Sequence, residues 1–199
     1  STPHIPAHFK PSAPMKPTRF ISVFAAVLTA FAATLPSAAA PRDKHLSPTG
    51  HFTWGAEIGG GIDLGSNDMS TVNIDAFFGY RNSWIDILGI GAEIQTMVND
   101  SDRAFPVYAV FRSNFRSSRS LCFLDARIGC VFNNLADNVS QTSFFCSPGI
   151  GINLAGGKSF QSYVTLSYLY NGIKPYATRS GRVDIDGLHM AVIRLGIAF

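Results

Sequence analysis

Eight segments of about ten residues follow one another from residue 52 onward, and apolar side chains alternate with small or polar ones in each. A period of two places the two kinds of side chain on opposite faces of a β-strand. In the last segment, Ala191, Ile193, Leu195, Ile197 and Phe199 share one face. About ten residues is the length that a tilted strand needs to cross a bilayer. The pattern therefore predicts strands that separate an apolar exterior from a polar interior.

The predicted strands are 52–63, 71–81, 85–98, 105–115, 121–132, 142–154, 160–171 and 188–199. Longer connections are expected at 64–70, 99–104, 133–141 and 172–187, and shorter ones at 82–84, 116–120 and 156–159. Membrane barrels have longer loops outside and short turns on the periplasmic side. The sequence thus predicts an all-β fold, an eight-stranded antiparallel up-and-down transmembrane β-barrel with short periplasmic turns and both termini in the periplasm.

Aromatic side chains on the apolar face gather towards the two ends of the predicted strands, as in the aromatic girdles of membrane barrels. Those expected near the periplasmic rim are Phe52, Trp54, Phe78, Tyr80, Phe111, Phe115, Phe160 and Phe199. Those expected near the outer rim are Phe105, Phe132, Phe144, Tyr168 and Tyr170.

A soluble barrel of the lipocalin type is the rival architecture, and it would turn the apolar face inward around a ligand. Its outer face would need many charged residues, yet these make up only 15% of the chain, against about 25% in a typical soluble domain. The lysines beyond residue 40 are Lys44, Lys158 and Lys174, and all lie outside the predicted strands. Composition therefore favours the membrane barrel.

Residues 15–40 have the pattern of a secretory signal peptide. A basic segment, Met15 to Arg19, precedes a mostly apolar run over 20–35, and small residues follow. The run is too short for a helix that crosses about 30 Å of hydrocarbon. We expect an upstream disordered segment over 1–14, a signal peptide over 15–40 cleaved after Ala39 or Ala40, a periplasmic tail over 41–51 and the barrel over 52–199. The predicted location is the cell outer membrane.

The formal net charge of +3 does not indicate a nucleic-acid partner. Lys10, Lys16 and Arg19 lie in residues 1–40, which contain no acidic residue, so the remaining chain is neutral. No basic stripe is left to neutralise phosphates along a duplex. We expect no nucleic acid among the partners and no cofactor.

The polar face of the strands carries charges of both signs, which are costly to bury without partners. The predicted lumen network consists of Glu57, Asp75, Glu93, Arg112, Asp125, Arg127 and Arg194. We expect Arg112 to lie between Glu93 and Asp125, and Glu57 to meet Arg194 where the barrel closes. A static salt-bridged core is favoured over a gated path for small solutes, because a barrel of eight strands is normally filled by its own side chains.

With these residues assigned, the chain resembles the small outer-membrane β-barrel proteins of Gram-negative bacteria, the porin-like family that includes barrels of the OmpA, OmpX and OmpW type. The segments that carry the resemblance are 87–94, 105–112, 147–152 and 195–199. It implies the architecture but no single activity. It also implies that the closing strand, with Leu195, Ile197 and Phe199, is a signal for the barrel-assembly machinery.

The connection over 172–187 is the longest and carries Lys174, Arg179 and Arg182. We expect these cations to contact phosphates of lipopolysaccharide or a surface partner. The segment Asp184 to Gly187 lacks the further ligands of a calcium loop and is interpreted as a solvated turn.

Catalytic and metal sites are not expected. His189 lies on the apolar face without a serine or an acid two residues away, and His45 and His51 are too few for a metal site. Cys130 and Cys146 share parity on neighbouring strands, so a disulfide is possible, but small lipid-facing thiols are favoured.

The predicted function is that of a monomeric outer-membrane barrel, not an enzyme, that stabilises the envelope or presents loops to partners. Its expected partners are outer-membrane lipid, lipopolysaccharide and, during biogenesis, the assembly machinery. A narrow porin-like channel for small solutes is the alternative, and a lipid A-modifying enzyme is a distant third.

Overall fold

The computed structural model describes residues 50–65, 69–82, 85–98, 102–114, 121–135, 139–156, 160–178 and 181–199. The predicted upstream segment and signal peptide, and the tail as far as residue 49, lie outside the described residues. The strands are β1 (His51–Asp63), β2 (Thr71–Arg81), β3 (Ile85–Met97), β4 (Arg103–Asn114), β5 (Cys122–Leu135), β6 (Val139–Gly156), β7 (Gln161–Asn171), β8 (Tyr176–Thr178), β9 (Gly181–Val183) and β10 (Leu188–Ala198). No helix in these ranges is long and apolar enough to cross a membrane.

Eight of these strands form one closed antiparallel barrel in the order β1-β10-β7-β6-β5-β4-β3-β2. The barrel closes where β1 pairs with β10, from Gly55↔Ala198 to Asp63↔Met190. The short strands β8 and β9 pair with each other as a separate hairpin between β7 and β10. The predicted fold class is confirmed. We call the end with His51 and Phe199 the terminal end and the opposite end the loop end.

The predicted division into long and short connections is wrong at two places. Strand β5 ends at Leu135 and β6 begins at Val139, so the connection predicted to be long is reduced to 136–138. The connection between β4 and β5, predicted to be short, spans 115–121. The sequence predicts a loop over 133–141, where the apolar alternation is interrupted. In the structure, β5 and β6 pair there from Asn133↔Gln141 to Leu135↔Val139, because backbone hydrogen bonds need no apolar face.

The two faces of the barrel have the polarity of a protein surrounded by hydrocarbon. Ile90 is 68% exposed on the outside, whereas Arg112 and Arg194 are fully buried within. Both predicted aromatic sets point outward wherever the structure describes them; Phe115 lies outside the described residues. The lipocalin arrangement, with its apolar face inward, is excluded for this barrel.

Four interior glycines make room for four interior aromatic rings. In each pair the glycine lies directly opposite the aromatic residue on the next strand: Gly55↔Phe77, Gly91↔Tyr108, Gly151↔Phe123 and Gly196↔Tyr163. A Cβ atom at Gly151 would lie 2.1 Å from the Phe123 ring, and one at Gly55 would lie 2.3 Å from the Phe77 ring. The rings therefore lie against glycine backbone, which is how large side chains fit inside so narrow a barrel.

Candidate functional site

A row of three carboxylates crosses three neighbouring strands in the middle of the barrel. Glu57 on β1 lies directly opposite Asp75 on β2, and Asp75 lies directly opposite Glu93 on β3. Like charges in directly opposed positions destabilise a sheet. All three side chains are buried, so the row requires cations from the facing wall.

Arg127, on β5, reaches across the lumen to this row. Its Nη2 donates to Glu57 Oε2 at 2.6 Å, and its Nη1 donates to Asp75 Oδ2 at 2.9 Å. Nε donates to Asp125 Oδ1 at 2.8 Å, and Nη1 also contacts the Tyr108 hydroxyl at 3.2 Å. A single guanidinium thus joins three carboxylates from three strands, a use for which its fixed fork of donors is suited.

Arg112, on β4, provides the second cation and is held by rings as well as by carboxylates. Its Nη2 donates to Asp125 Oδ2 at 2.7 Å and to Glu57 Oε1 at 3.1 Å. The guanidinium carbon lies 4.1 Å from the Tyr163 ring centroid and 4.5 Å from that of Phe123, at distances typical of cation–π contacts. The Tyr163 hydroxyl donates to Glu57 Oε1 at 2.6 Å, so the ring is also fixed by the network.

Arg194, on the closing strand β10, supplies the third cation. Its Nη2 lies 3.2 Å from Glu93 Oε2, and its Nε lies 3.5 Å from Asp75 Oδ2. Nη1 donates to the Ser167 hydroxyl at 2.7 Å. Through this residue the network ties β10 to β2 and β3, which are not its neighbours in the closed barrel.

The structure brings all seven predicted lumen residues into one network, but two of the expected pairs are wrong. Glu93 does not meet Arg112, because β4 pairs Val107 with Ala92 and Arg112 with Ile87, far along the strand. Glu57 binds Arg112 and Arg127, whereas Arg194 binds Glu93. Long side chains in a narrow barrel reach partners across the lumen, so neighbouring strands alone do not determine the pairs.

The network contains four carboxylates and three guanidinium groups. The excess acid is visible at Asp75, whose Oδ2 contacts two arginines while Oδ1 has no hydrogen-bond partner. In contrast, both oxygens of Asp125 are bonded to arginine. The two aspartates therefore differ in how much each contributes to the stability of the network.

A second ion pair near the terminal end was missed from the sequence. Arg81 Nε lies 3.2 Å from Asp86 Oδ1 and donates to the Asp86 carbonyl at 2.9 Å. Strict alternation places Asp86 outside, but the register shifts between Ile85 and Ile87, so both Asp86 and Ile87 are buried. The charged residue at an apparently outward position was the available signal for this bulge.

A cluster of buried apolar side chains lies in the lumen towards the loop end. They include Val131, Leu135, Phe145, Leu169, Met190 and Val192. Asn133 and Asn171 exchange hydrogen bonds of 3.3 and 2.8 Å among these residues. Ile173 and Ile185, from the connection after β7, pack onto the same cluster and are almost fully buried. The ion network is thus covered at this end by an apolar layer.

Of the remaining predicted site residues, the structure describes those of β10 and Lys174. Lys174 is exposed, and its backbone is held by the Gln141 side chain through bonds of 3.1 and 3.2 Å. Arg179 and the side chain of Arg182 lie outside the described residues. Phe199 is outward at the terminal end, as are Leu195 and Ile197 along β10, and its ring stacks on Trp54 at 4.7 Å.

No protein-family model matches the chain, and no curated protein matches it either. Among solved structures it is similar to the N-terminal β-barrel domain of Pseudomonas aeruginosa OprF, at 12% identity and a TM-score of 0.46, covering 76% of this chain and 100% of that one. Neisserial surface protein A is 16% identical, with a TM-score of 0.46, and the match covers 78% of this chain and 98% of that one. Yersinia pestis outer-membrane protein Ail is 13% identical, with a TM-score of 0.41, and the match covers 75% of this chain and 100% of that one.

The barrel's own geometry identifies its class. Eight antiparallel strands close on themselves, with exposed isoleucine and aromatic side chains outside and paired charges inside. A closed barrel with an apolar outer band satisfies its backbone polar groups without water. The chain has the fold of a small outer-membrane β-barrel.

Two kinds of reactive side chain, histidine and cysteine, lie on the outer wall of the barrel. His189 Nδ1 shares a hydrogen bond with the Tyr168 hydroxyl. Cys122, Cys130 and Cys146 are free thiols. Cys130 pairs with Phe144 and Cys146 with Ile128, so the two cysteines are diagonal rather than opposed neighbours.

Proposed function

We propose that this protein is an integral barrel of the Gram-negative outer membrane that acts as a closed structural or surface-presenting component rather than as a channel. The filled interior carries the proposal. Arg112, Arg127 and Arg194 are fully buried and directed at carboxylates across the lumen. Moving them to open a path would separate several short ion pairs in a medium of low dielectric, which is costly.

The covering at the loop end supports the same function. A solute would have to displace Ile173 and Ile185 and then pass the apolar layer before it reached the ion network. Eight-stranded barrels are normally just wide enough for side chains to fill.

Planar-bilayer recording on the purified barrel tests the proposal. Insertion is verified first by the heat-dependent shift in gel mobility that folded barrels show, and an open porin serves as the positive control. We expect no single-channel steps from the wild type. Discrete steps whose amplitude changes in Arg112→Ala would contradict the closed barrel and support the narrow channel.

The basic connection after β7 is the proposed contact with the cell surface. Lys174 is exposed and fixed by Gln141, and Arg179 and Arg182 follow it in sequence. We assign these cations to phosphate groups of lipopolysaccharide. Unchanged lipopolysaccharide association and envelope integrity in the triple alanine variant would reject this assignment.

We propose no catalytic role for the barrel and a monomeric state. His189 is bonded to a tyrosine hydroxyl, whereas hydrolysis would call for a serine or carboxylate partner. New lipid A species in cells that overexpress the protein would contradict the non-catalytic assignment.

The closing strand is the proposed signal for the barrel-assembly machinery, with Leu195, Ile197 and Phe199 as its outward residues. The position of these residues supports the proposal, because β10 is the strand that closes the barrel against β1.

A further inference from the structure

A groove of about 480 Å³ lies in the outer wall of the barrel, where β6, β7 and β10 meet. Its lining includes Pro148, Ile150, Leu166, Tyr168 and Ala191 and is mainly apolar. Ile150 and Leu166 lie between the two predicted aromatic girdles, and Tyr168 belongs to the outer girdle.

Local sequence explains why the wall is indented there. The pairing of β6 with β7 is interrupted between Cys146↔Tyr170 and Gly149↔Ser167, where Pro148 has no amide hydrogen to donate. On the other side, Tyr168 pairs with Ala191 of β10, whose methyl group fills little of the surface. A proline and an alanine thus leave space beside Tyr168 on this part of the wall.

Polar groups lie directly above the groove, towards the loop end. Tyr168 and His189 share a hydrogen bond, and the Tyr170 ring centroid lies 5.1 Å from that of His189. Lys174 follows at the end of β7, exposed, with its backbone clamped by Gln141. The order along the wall is therefore apolar groove, amphipathic aromatic cluster and cation.

That order matches the parts of a phosphorylated lipid in the outer leaflet. We propose that the groove binds one acyl chain of lipid A, that Tyr168 and His189 contact the ester and sugar region, and that Lys174 pairs with a phosphate. This inference rests on the proposed outer-membrane placement and names the groove as the place where that contact is made. The aromatic girdle favours lipid over a second protein copy, because Tyr168 and Tyr170 belong to the predicted outer girdle and such girdles lie at the level of the headgroups.

Native mass spectrometry of the detergent-purified barrel tests the site, with diphosphoryl lipid A and its dephosphorylated form as the probes. Ala191→Phe fills the groove, and Ala76→Phe places the same ring on β2, outside the groove, where Ala76 is also outward. Lys174→Ala removes the cation. Folding of each variant is verified by gel mobility, and Ala191→Leu replaces Ala191→Phe if the latter does not fold.

We expect the wild type and Ala76→Phe to retain one lipid A molecule and Ala191→Phe to lose it. Lys174→Ala should weaken binding of diphosphoryl lipid A about fivefold, since one interfacial cation contributes roughly that factor, and should leave the dephosphorylated form unaffected. Equal retention by Ala191→Phe and Ala76→Phe would overturn the proposal, as would a wild-type dimer that Ala191→Phe dissociates. Failure of the wild type to insert into membranes would instead overturn the outer-membrane placement.

Discussion

Glu57 and Asp75 are directly opposed across β1 and β2, and one guanidinium, that of Arg127, binds both. The Arg127 donors lie 2.6 and 2.9 Å from the two carboxylates. Two like charges can occupy opposed positions in this sheet because a cation from the far wall is shared between them. Arg127 therefore contacts three of the four carboxylates of the network.

We predict that Arg127→Met destabilises the barrel by about 3–5 kcal/mol, the usual cost of leaving buried charges unpaired. Methionine retains much of the side-chain volume, so the loss reflects charge rather than a cavity. Urea unfolding of the barrel in lipid vesicles, followed by tryptophan fluorescence, measures the change. Arg103→Met is the control, because Arg103 is an exposed residue of β4 and should alter stability by less than about 0.5 kcal/mol. Similar losses in the two variants would show that the network contributes little.

The two aspartates of the network should respond differently to the same substitution. Asp75→Asn removes the excess negative charge from a residue with one unpartnered oxygen, so the predicted change in unfolding free energy is within about 1 kcal/mol. Asp125→Asn replaces an acceptor of three arginine hydrogen bonds and should cost about 3 kcal/mol. The same vesicle assay compares them. A larger loss for Asp75→Asn would mean that the charge balance has been assigned to the wrong residue.

The alternation of side chains was sufficient to predict the strands, their closure and the inward position of the charges. Each of these depends on the period of two, which a single sequence displays directly. The bulge between Ile85 and Ile87 reverses the parity of the residues before it, so strict alternation assigns Asp86 to the wrong face.

Ion-pair partners were harder to predict than faces. Glu93 and Arg112 are inward on adjacent strands, yet their separation depends on the stagger between β3 and β4, which alternation does not encode. The partners of Glu57 lie across the lumen on β4 and β5, and such contacts depend on barrel diameter and side-chain length. The β8 and β9 hairpin is too short for a period to be recognised.

Phe199, where β10 meets β1, allows the stability of the barrel to be tested separately from its assembly in cells. Phe199 exchanges backbone hydrogen bonds of 2.8 and 3.3 Å with Trp54, and the two rings stack. Phe199→Ala keeps the backbone bonds, so purified barrel should lose only about 1 kcal/mol. If Phe199 is also an assembly signal, Phe199→Ala should lower the amount of folded barrel in cells much more than Phe105→Ala does. Phe105→Ala is the control, because Phe105 is an outward aromatic residue on β4. Equal cellular levels of the two variants would reject the signal.

The close approach of Phe123 to Gly151 gives a prediction that links packing to the ion network. A Cβ atom at position 151 would lie 2.1 Å from the Phe123 ring, and that ring also supports the Arg112 guanidinium at 4.5 Å. Gly151→Ala must therefore displace the ring and disturb Arg112, which should destabilise the barrel by about 1–3 kcal/mol. Gly172→Ala is the control, because its nearest neighbours would lie at 3.6 Å, an ordinary contact distance.

A double-mutant cycle identifies the cause of that loss. Combining Gly151→Ala with Phe123→Leu should cost less than the sum of the two single changes, because the smaller side chain vacates the space that the new methyl group needs. Unfolding free energies of the four proteins in the same vesicles give the interaction term. Strict additivity would mean that the ring and the glycine do not share the space that the structure assigns to them.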